Sequence, residues 1–193
     1  MRPSLSSLSA LFSGLLLIAT AASAAPIYYQ AVLSGPAESP PNASPGTGLA
    51  LVDIDVVAHT LHVNVEFAGL LGNSTAAHIH APTAVPGTGT AGVATMLPTF
   101  LGFPAGVTAG TYDATFDTSL TSTYNAAFVT ANGGTAAGAE AALAASMAAG
   151  TAYFNLHSNV FPGGEIRGFL TLVPEPTALG ALVAGALFAF RRR

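Results

Sequence analysis

Three of the five histidines have a spacing that could hold a metal ion. His78 and His80 are two residues apart in the run Ala-His-Ile-His, so in a β-strand both face one side, with Cα atoms about 6.6 Å apart. His157 follows the alternating run Tyr-Phe-Asn-Leu, and it becomes a third ligand if the two strands are neighbours. We therefore predict a metal site at these three residues. The alternative is three ordinary surface or hydrogen-bonded histidines without a metal.

The ligand chemistry of this site is restricted by the composition. None of the 193 residues is cysteine, so a metal must be bound by histidine, carboxylate or carbonyl groups. Three neutral imidazoles suit copper or zinc, and the general order of affinities favours copper. Copper is therefore the expected cofactor, with zinc second. His59 lies in a predicted turn and His62 points outward from its strand, so we expect both to be solvated, with His62 a minor candidate for a fourth ligand.

Arg167 is the one cation between the two ends of the chain, which contains no lysine. Residues 25–172 hold eight acidic residues against this arginine, which gives a formal charge of −7 and excludes a basic nucleic-acid-binding surface. We expect Arg167 to form a salt bridge with an acidic neighbour. The alternative is that it guides an anion towards the metal.

Motifs for hydrolysis or nucleotide binding are absent from the sequence. Asp53 and Asp55 share a strand face and resemble a catalytic carboxylate pair, but a solvated face is the interpretation we favour on an acidic protein. Catalysis stays open, and non-enzymatic binding is favoured.

Alternating apolar residues predict half-buried strands, as at 29–33 and 61–67. Turns rich in glycine and proline separate them, which is typical of a β-sandwich or barrel. One helix is predicted over 136–149, capped by Thr135 and ended by Gly150. The expected fold is thus all-β, with one short alanine-rich helix.

The two ends have the patterns of targeting segments. Residues 1–24 combine an early arginine, a short apolar run and small residues at Ala22 and Ala24, which predicts a secretory signal peptide cleaved after Ala24. Residues 173–193 contain the box Pro174, Glu175 and Pro176, an apolar stretch over 177–190, and the basic tip Arg191, Arg192 and Arg193. This pattern predicts a short C-terminal membrane helix with its tip in the cytoplasm.

The C-terminal tail resembles the PEP-CTERM sorting signal of Gram-negative bacteria, since box, helix and basic tip occur in that order. The resemblance implies a Gram-negative host, processing by signal peptidase and an exosortase, and transient anchoring in the inner membrane. It also implies a final location at the cell envelope, the outer surface or the extracellular matrix.

The body, residues 25–172, resembles the CHRD domain named after chordin. The opening Leu33-Ser34-Gly35 with Glu38, the run 77–80, and the closing Pro162-Gly163-Gly164-Glu165-Ile166-Arg167-Gly168 after His157 are similar to its signatures. In chordin the domain is associated with binding of growth factors, whereas the role of bacterial members is largely undefined. The two targeting segments and the absence of catalytic motifs favour a non-enzymatic binding or matrix module, with a polysaccharide or a surface protein as partner.

A second resemblance is to copper-zinc superoxide dismutase, because His78 and His80 follow a Gly-Leu turn at Gly69. It implies an immunoglobulin-like or superoxide-dismutase-like sandwich. His78, His80 and His157 would bind copper, and Arg167 would guide anions. The sequence has no candidate for the bridging histidine, the zinc ligands or the cysteine pair of that enzyme. The resemblance thus favours metal binding over dismutation, with a redox-active copper protein as the alternative function.

Overall fold

A computed structural model of the chain describes residues 25–174. The predicted cleavage site at Ala22 and Ala24 and most of the predicted sorting residues, from Glu175 to the tip at 191–193, lie outside these residues. Over 25–174, no helix combines the length and the apolar composition needed to cross a bilayer.

The described chain forms one antiparallel sheet of eight strands that curls into a half-barrel, with few short helices. The strands lie in the order β4-β6-β7-β1-β2-β3-β5, and β8 pairs with β1 beside β7. The mostly β prediction is confirmed, although the strands form a single curled sheet. The strands are β1 Ile27–Ser34, β2 Thr47–Asp55, β3 Thr60–Ala68, β4 Ser74–His80, β5 Gly110–Asp117, β6 Tyr153–Ser158, β7 Ile166–Phe169 and β8 Thr171–Leu172.

The inner face of the sheet carries the alternating apolar residues and forms the core. Along β3, the side chains of Leu61, Val63, Val65 and Phe67 are at most 2% exposed, while those between them face solvent or lie at its edge. This two-residue period confirms the strand prediction over 61–67, because alternate side chains of a strand point to opposite faces.

Two helices cover one end of the core. The predicted helix is α2, Ala136–Ala148, where the Thr135 side chain accepts a hydrogen bond from the Gly138 amide. Its Leu143 and Met147 are buried, as expected for core residues. The prediction of a single helix is wrong, because a second one, α1, spans Ala126–Ala131. At six residues it is too short to show a helical period in the sequence.

The long segment 81–109 between β4 and β5 lies along the free edge of β4. The amides of Ala94 and Phe100 donate to the carbonyls of Ile79 and Ala77, at 2.9 and 3.2 Å. Threonine side chains accept from the amides of the same two β4 residues. The segment thus satisfies an edge strand that would otherwise expose its backbone groups. It also places its own carbonyls over the outward-facing side chains of β4.

Candidate metal site

Strands β4 and β6 are antiparallel neighbours, and this pairing brings the three predicted histidines together. His78 lies opposite Asn155, His80 opposite Tyr153, and His157 opposite Ala76. His157 is therefore diagonal to His78 on the same face of the pair, within reach of its ring.

The three imidazoles form a compact group. One nitrogen from each ring lies within 4.8 Å of the others. The ring centroids of His157 and His78 are 5.3 Å apart, and the ring centroid of His80 lies 5.8 Å from each of them. Copper or zinc with nitrogens at about 2.0–2.1 Å needs nitrogen pairs about 3.3–3.6 Å apart. Small side-chain rotations would therefore suffice to close the group around one ion.

Each of the three rings is held by a hydrogen bond to a backbone carbonyl. A carbonyl only accepts, so the ring nitrogen facing it must carry the proton, and the other nitrogen of a neutral ring keeps a lone pair. Ligating histidines in proteins are typically oriented in this way. The bonds run from His78 Nε2 to Pro98 O at 2.7 Å, from His80 Nδ1 to Ala91 O at 2.9 Å, and from His157 Nδ1 to Pro162 O at 3.0 Å.

The second nitrogen of each ring is buried and lacks a hydrogen-bond partner within residues 25–174. These atoms are Nδ1 of His78, Nε2 of His80 and Nε2 of His157. A buried polar atom without a partner costs about 1–3 kcal/mol. Three such atoms in one group are therefore expensive unless they bind a ligand.

Burial keeps the rings neutral. It is the main cause that lowers the pKa of His78 and of His80 to about 4, and it also lowers the pKa of His157. For His80, the charges of His157, His78 and Arg167 add to this effect. At neutral pH the group therefore offers lone pairs rather than positive charges.

Arg167 lies buried beside the site, with the side chain only 5% exposed. Its guanidinium donates to the carbonyls of Ala37 at 2.5 Å and Gly89 at 3.0 Å, and the carboxylate of Glu38 lies 3.8 Å away. It stacks over the ring of Tyr153, 4.8 Å from the centroid. The acidic neighbour of Arg167 is thus Glu38, and one aromatic ring separates Arg167 from the histidines.

Glu38 and Asn155 are polar residues of this region that sequence reasoning did not place at the site. Burial raises the pKa of Glu38 to about 7, partly offset by Arg167. Its Oε1 and the Oδ1 of Asn155 are buried and have no hydrogen-bond partner in the described part of the chain. Asn155 could have been found, because it is two residues before His157 and shares its face. The sequence could not have pointed to the carbonyls of Ala91, Pro98 and Pro162, because every residue has a backbone carbonyl.

His62 lies on β3, four strands away from β6 in the order of the sheet. Its Nδ1 is 2.8 Å from Asp53 and its Nε2 is 2.9 Å from Asp113. The hydrogen bond with Asp113 is the largest cause that raises its pKa. His62 is therefore not a fourth ligand of this group, because two carboxylates occupy both of its ring nitrogens away from the three histidines.

The other residues weighed in the sequence have local roles. His59 is half exposed, and its Nδ1 lies 2.9 Å from Glu140. Asp55 accepts from the amides of Val57 and Ala58 in the β2–β3 turn, both at 2.8 Å. Asp53 and Asp55 thus serve different partners.

The family of the chain follows from comparison with known proteins. The sequence model of the CHRD domain matches residues 29–170, most of the chain. The chain belongs to the CHRD domain family. The matched span contains His78, His80, His157 and Arg167, and a CHRD domain indicates a small binding module of the extracellular type. Neither the curated proteins nor the solved structures include a match to this CHRD chain.

Proposed function

We propose that this CHRD domain is a binding module whose ligand is one transition-metal ion, held by His78, His80 and His157. A single observation carries the proposal. Three buried imidazole nitrogens that have no hydrogen-bond partner among residues 25–174 converge, while the other nitrogen of each ring is fixed by a backbone carbonyl. Ordinary histidines of a protein core use both nitrogens or expose one to water, so such a group is best explained as a set of ligands for one metal ion.

The donor set favours copper, with zinc second. All three donors are neutral imidazoles, and no carboxylate belongs to this group among the described residues. Imidazole suits both metals, and copper binds more tightly than zinc in the general order of affinities. Hard cations such as magnesium or calcium prefer oxygen ligands, which the group lacks.

The test is metal stoichiometry on the full chain, purified without metal and loaded with copper or zinc. We expect close to one copper per chain by mass spectrometry after dialysis. The double variant His78→Ala/His80→Ala should retain none. His62→Gln is the matched control, because it removes a histidine outside the group and should bind as wild type does. A wild-type chain that stays empty after loading, or a double variant that binds equally well, would overturn the proposal.

We also propose that the domain acts outside the cytoplasm, as its ends imply. The patterns at 1–24 and 173–193 support export and sorting to the envelope of a Gram-negative cell. We expect the exported form to begin at Ala25. Replacing Pro174, Glu175 and Pro176 by alanine should leave the protein in the inner membrane. Fractionation and N-terminal sequencing test this, and an exported form that still begins at Met1 would contradict it.

A further inference from the structure

We infer that the three-histidine site prefers cuprous to cupric copper and that Arg167 is a residue that sets this preference. The inference rests on the proposed copper site and adds the oxidation state of the ion. It follows from the charges around the site and from the number of donors in it.

The donor group does not neutralise the charge of the ion. Its three imidazoles are neutral, and no carboxylate joins them among the described residues. His78 and His80 are 5% and 8% exposed, so water does little to screen the ion. A charge in such surroundings is costly, and the cost rises steeply from one elementary charge to two.

Arg167 adds a fixed positive charge to the same region. Two backbone carbonyls hold its guanidinium, and the ring of Tyr153 lies between it and His80, stacked on both at 4.8 Å. This charge is therefore only one aromatic ring away from the imidazole of His80, in buried surroundings. A fixed positive charge repels a divalent ion twice as strongly as a monovalent one.

Glu38 opposes Arg167 but does not cancel it. The carboxylate is 3.8 Å from the guanidinium, which is beyond hydrogen-bond distance. Its own pKa is raised to about 7, mainly by burial, so only about half of the carboxyl groups are ionised at pH 7.

The number of donors points the same way. Cupric copper favours square-planar or tetragonal surroundings with at least four donors. The described residues bring three histidine nitrogens together, and His62 is occupied elsewhere. A three-donor group therefore suits the cuprous ion, which has no tetragonal preference.

The experiment compares the affinities of the full chain for the two ions at pH 7, where only about half of the Glu38 carboxyl groups are ionised. Cu(I) is titrated against bicinchoninate under ascorbate without oxygen, and Cu(II) against nitrilotriacetate. We expect wild type to bind Cu(I) more tightly than Cu(II). Arg167→Met should shift the ratio towards Cu(II) about tenfold, which is about 59 mV for a one-electron couple. Arg167→Lys keeps the charge and should retain most of the preference.

Glu38→Gln should have the opposite effect. Removing a negative charge should shift the ratio of the two affinities towards Cu(I). Glu66→Gln removes an exposed charge from β3 and should leave the ratio unchanged. If Arg167→Met does not fold, the direction of the shift in Glu38→Gln decides whether the charges beside the site set the preference. Stoichiometric copper with tighter Cu(II) binding in wild type, or with ratios that do not respond to either charge, overturns the inference alone. A chain that binds neither ion overturns the proposed function instead.

Discussion

The imidazole of His80 lies face to face with the phenol ring of Tyr153, with centroids 4.8 Å apart and planes 12° from parallel. The two residues also share a partner. The Ala91 carbonyl accepts from His80 Nδ1 at 2.9 Å and from the Tyr153 hydroxyl at 3.3 Å, and the Ala91 amide donates to that hydroxyl at 3.2 Å. Tyr153 thus fixes both the face of the His80 ring and the carbonyl that sets its protonated nitrogen. It is a positioning residue for the proposed site.

Replacing Tyr153 by leucine should weaken metal binding about 10- to 100-fold, the usual cost of losing a group that orients a ligand. Tyr153→Phe keeps the stacked ring and loses only the hydroxyl, so this variant should retain most of the wild-type affinity for the metal. Competition titrations with a copper chelator measure both variants. A purely structural role for Tyr153 would instead lower the thermal stability of the metal-free chain with no change in affinity.

The metal-free protein should respond to acid through two opposing groups. The pKa of His78 and His80 is about 4 in the folded chain against 6.5 unfolded, so the unfolded chain binds more protons between these values. Their contribution to stability is complete above pH 6.5 and is lost as the pH falls towards 4. Glu38 acts in the opposite direction, since its folded pKa of about 7 lies above its ordinary 4.5 and acid stabilises the folded form over that range.

Removing the Glu38 carboxyl should therefore expose the full acid sensitivity of the histidines. Between pH 4.5 and 6.5, the unfolding free energy of metal-free Glu38→Gln should fall with acidification more steeply than that of wild type. The difference in slope is about 1.4 kcal/mol per pH unit, the value for one proton. Urea unfolding at several pH values measures it. Parallel curves for the two proteins would contradict the assignment of Glu38.

Gly164 has a backbone that only glycine tolerates. Its φ is +136°, and a Cβ there would lie 2.6–2.7 Å from the Asn155 amide and from Glu38 Oε1. Gly164→Ala should therefore cost about 2–3 kcal/mol of unfolding free energy in urea. The neighbouring Gly163 is the control, because nothing lies within 4 Å of its added Cβ. Equal losses of unfolding free energy in the two variants would show that the turn requires glycine in general, and that the close approach of Gly164 to Asn155 and Glu38 is not the cause.

Much of this arrangement could be predicted from local patterns. The alternation at 61–67 and the cap at Thr135 depend on neighbours in the chain, so the strand and the helix were recognisable. The pairing of His78 with His80 also follows from the two-residue period of a strand. His157 required the adjacency of β4 and β6, two strands separated by more than seventy residues. Sequence reasoning could state that adjacency only as a condition.

The surroundings of the site depend on contacts that carry no local signal. The carbonyls of Ala91 and Pro98 reach the histidines because the segment 81–109 lies along the edge of β4. Residue type does not mark a carbonyl as special. The carboxylate partners of His62, a minor candidate for a fourth ligand, depend on strand pairing in the same way, because Asp53 lies opposite it on β2 and Asp113 lies diagonal to it on β5.

Glu165 closes the turn between β6 and β7 as a fully buried carboxylate. Its Oε1 accepts from the Ser44 hydroxyl at 2.6 Å and from the Leu71 amide at 2.5 Å, and its Oε2 accepts from the Gly72 amide at 3.2 Å. Burial alone would raise its pKa. Hydrogen bonds from Ser158, Ser44 and the two amides outweigh burial and leave the pKa below its ordinary value.

Glu165→Gln should therefore destabilise the protein far more than its similar shape implies. A glutamine must place its NH₂ group against a hydroxyl or amide that already donates, which leaves buried donors facing each other. We expect a loss of about 2–4 kcal/mol at pH 7, against less than about 0.5 kcal/mol for Glu66→Gln, whose side chain is exposed.

Because the folded pKa of Glu165 is lowered, its contribution is present above about pH 4.5 and is lost as the pH falls through the folded value. The difference between wild type and Glu165→Gln should therefore shrink below pH 4.5, and a difference that stays constant down to pH 3 would show that Glu165 acts by shape rather than by charge.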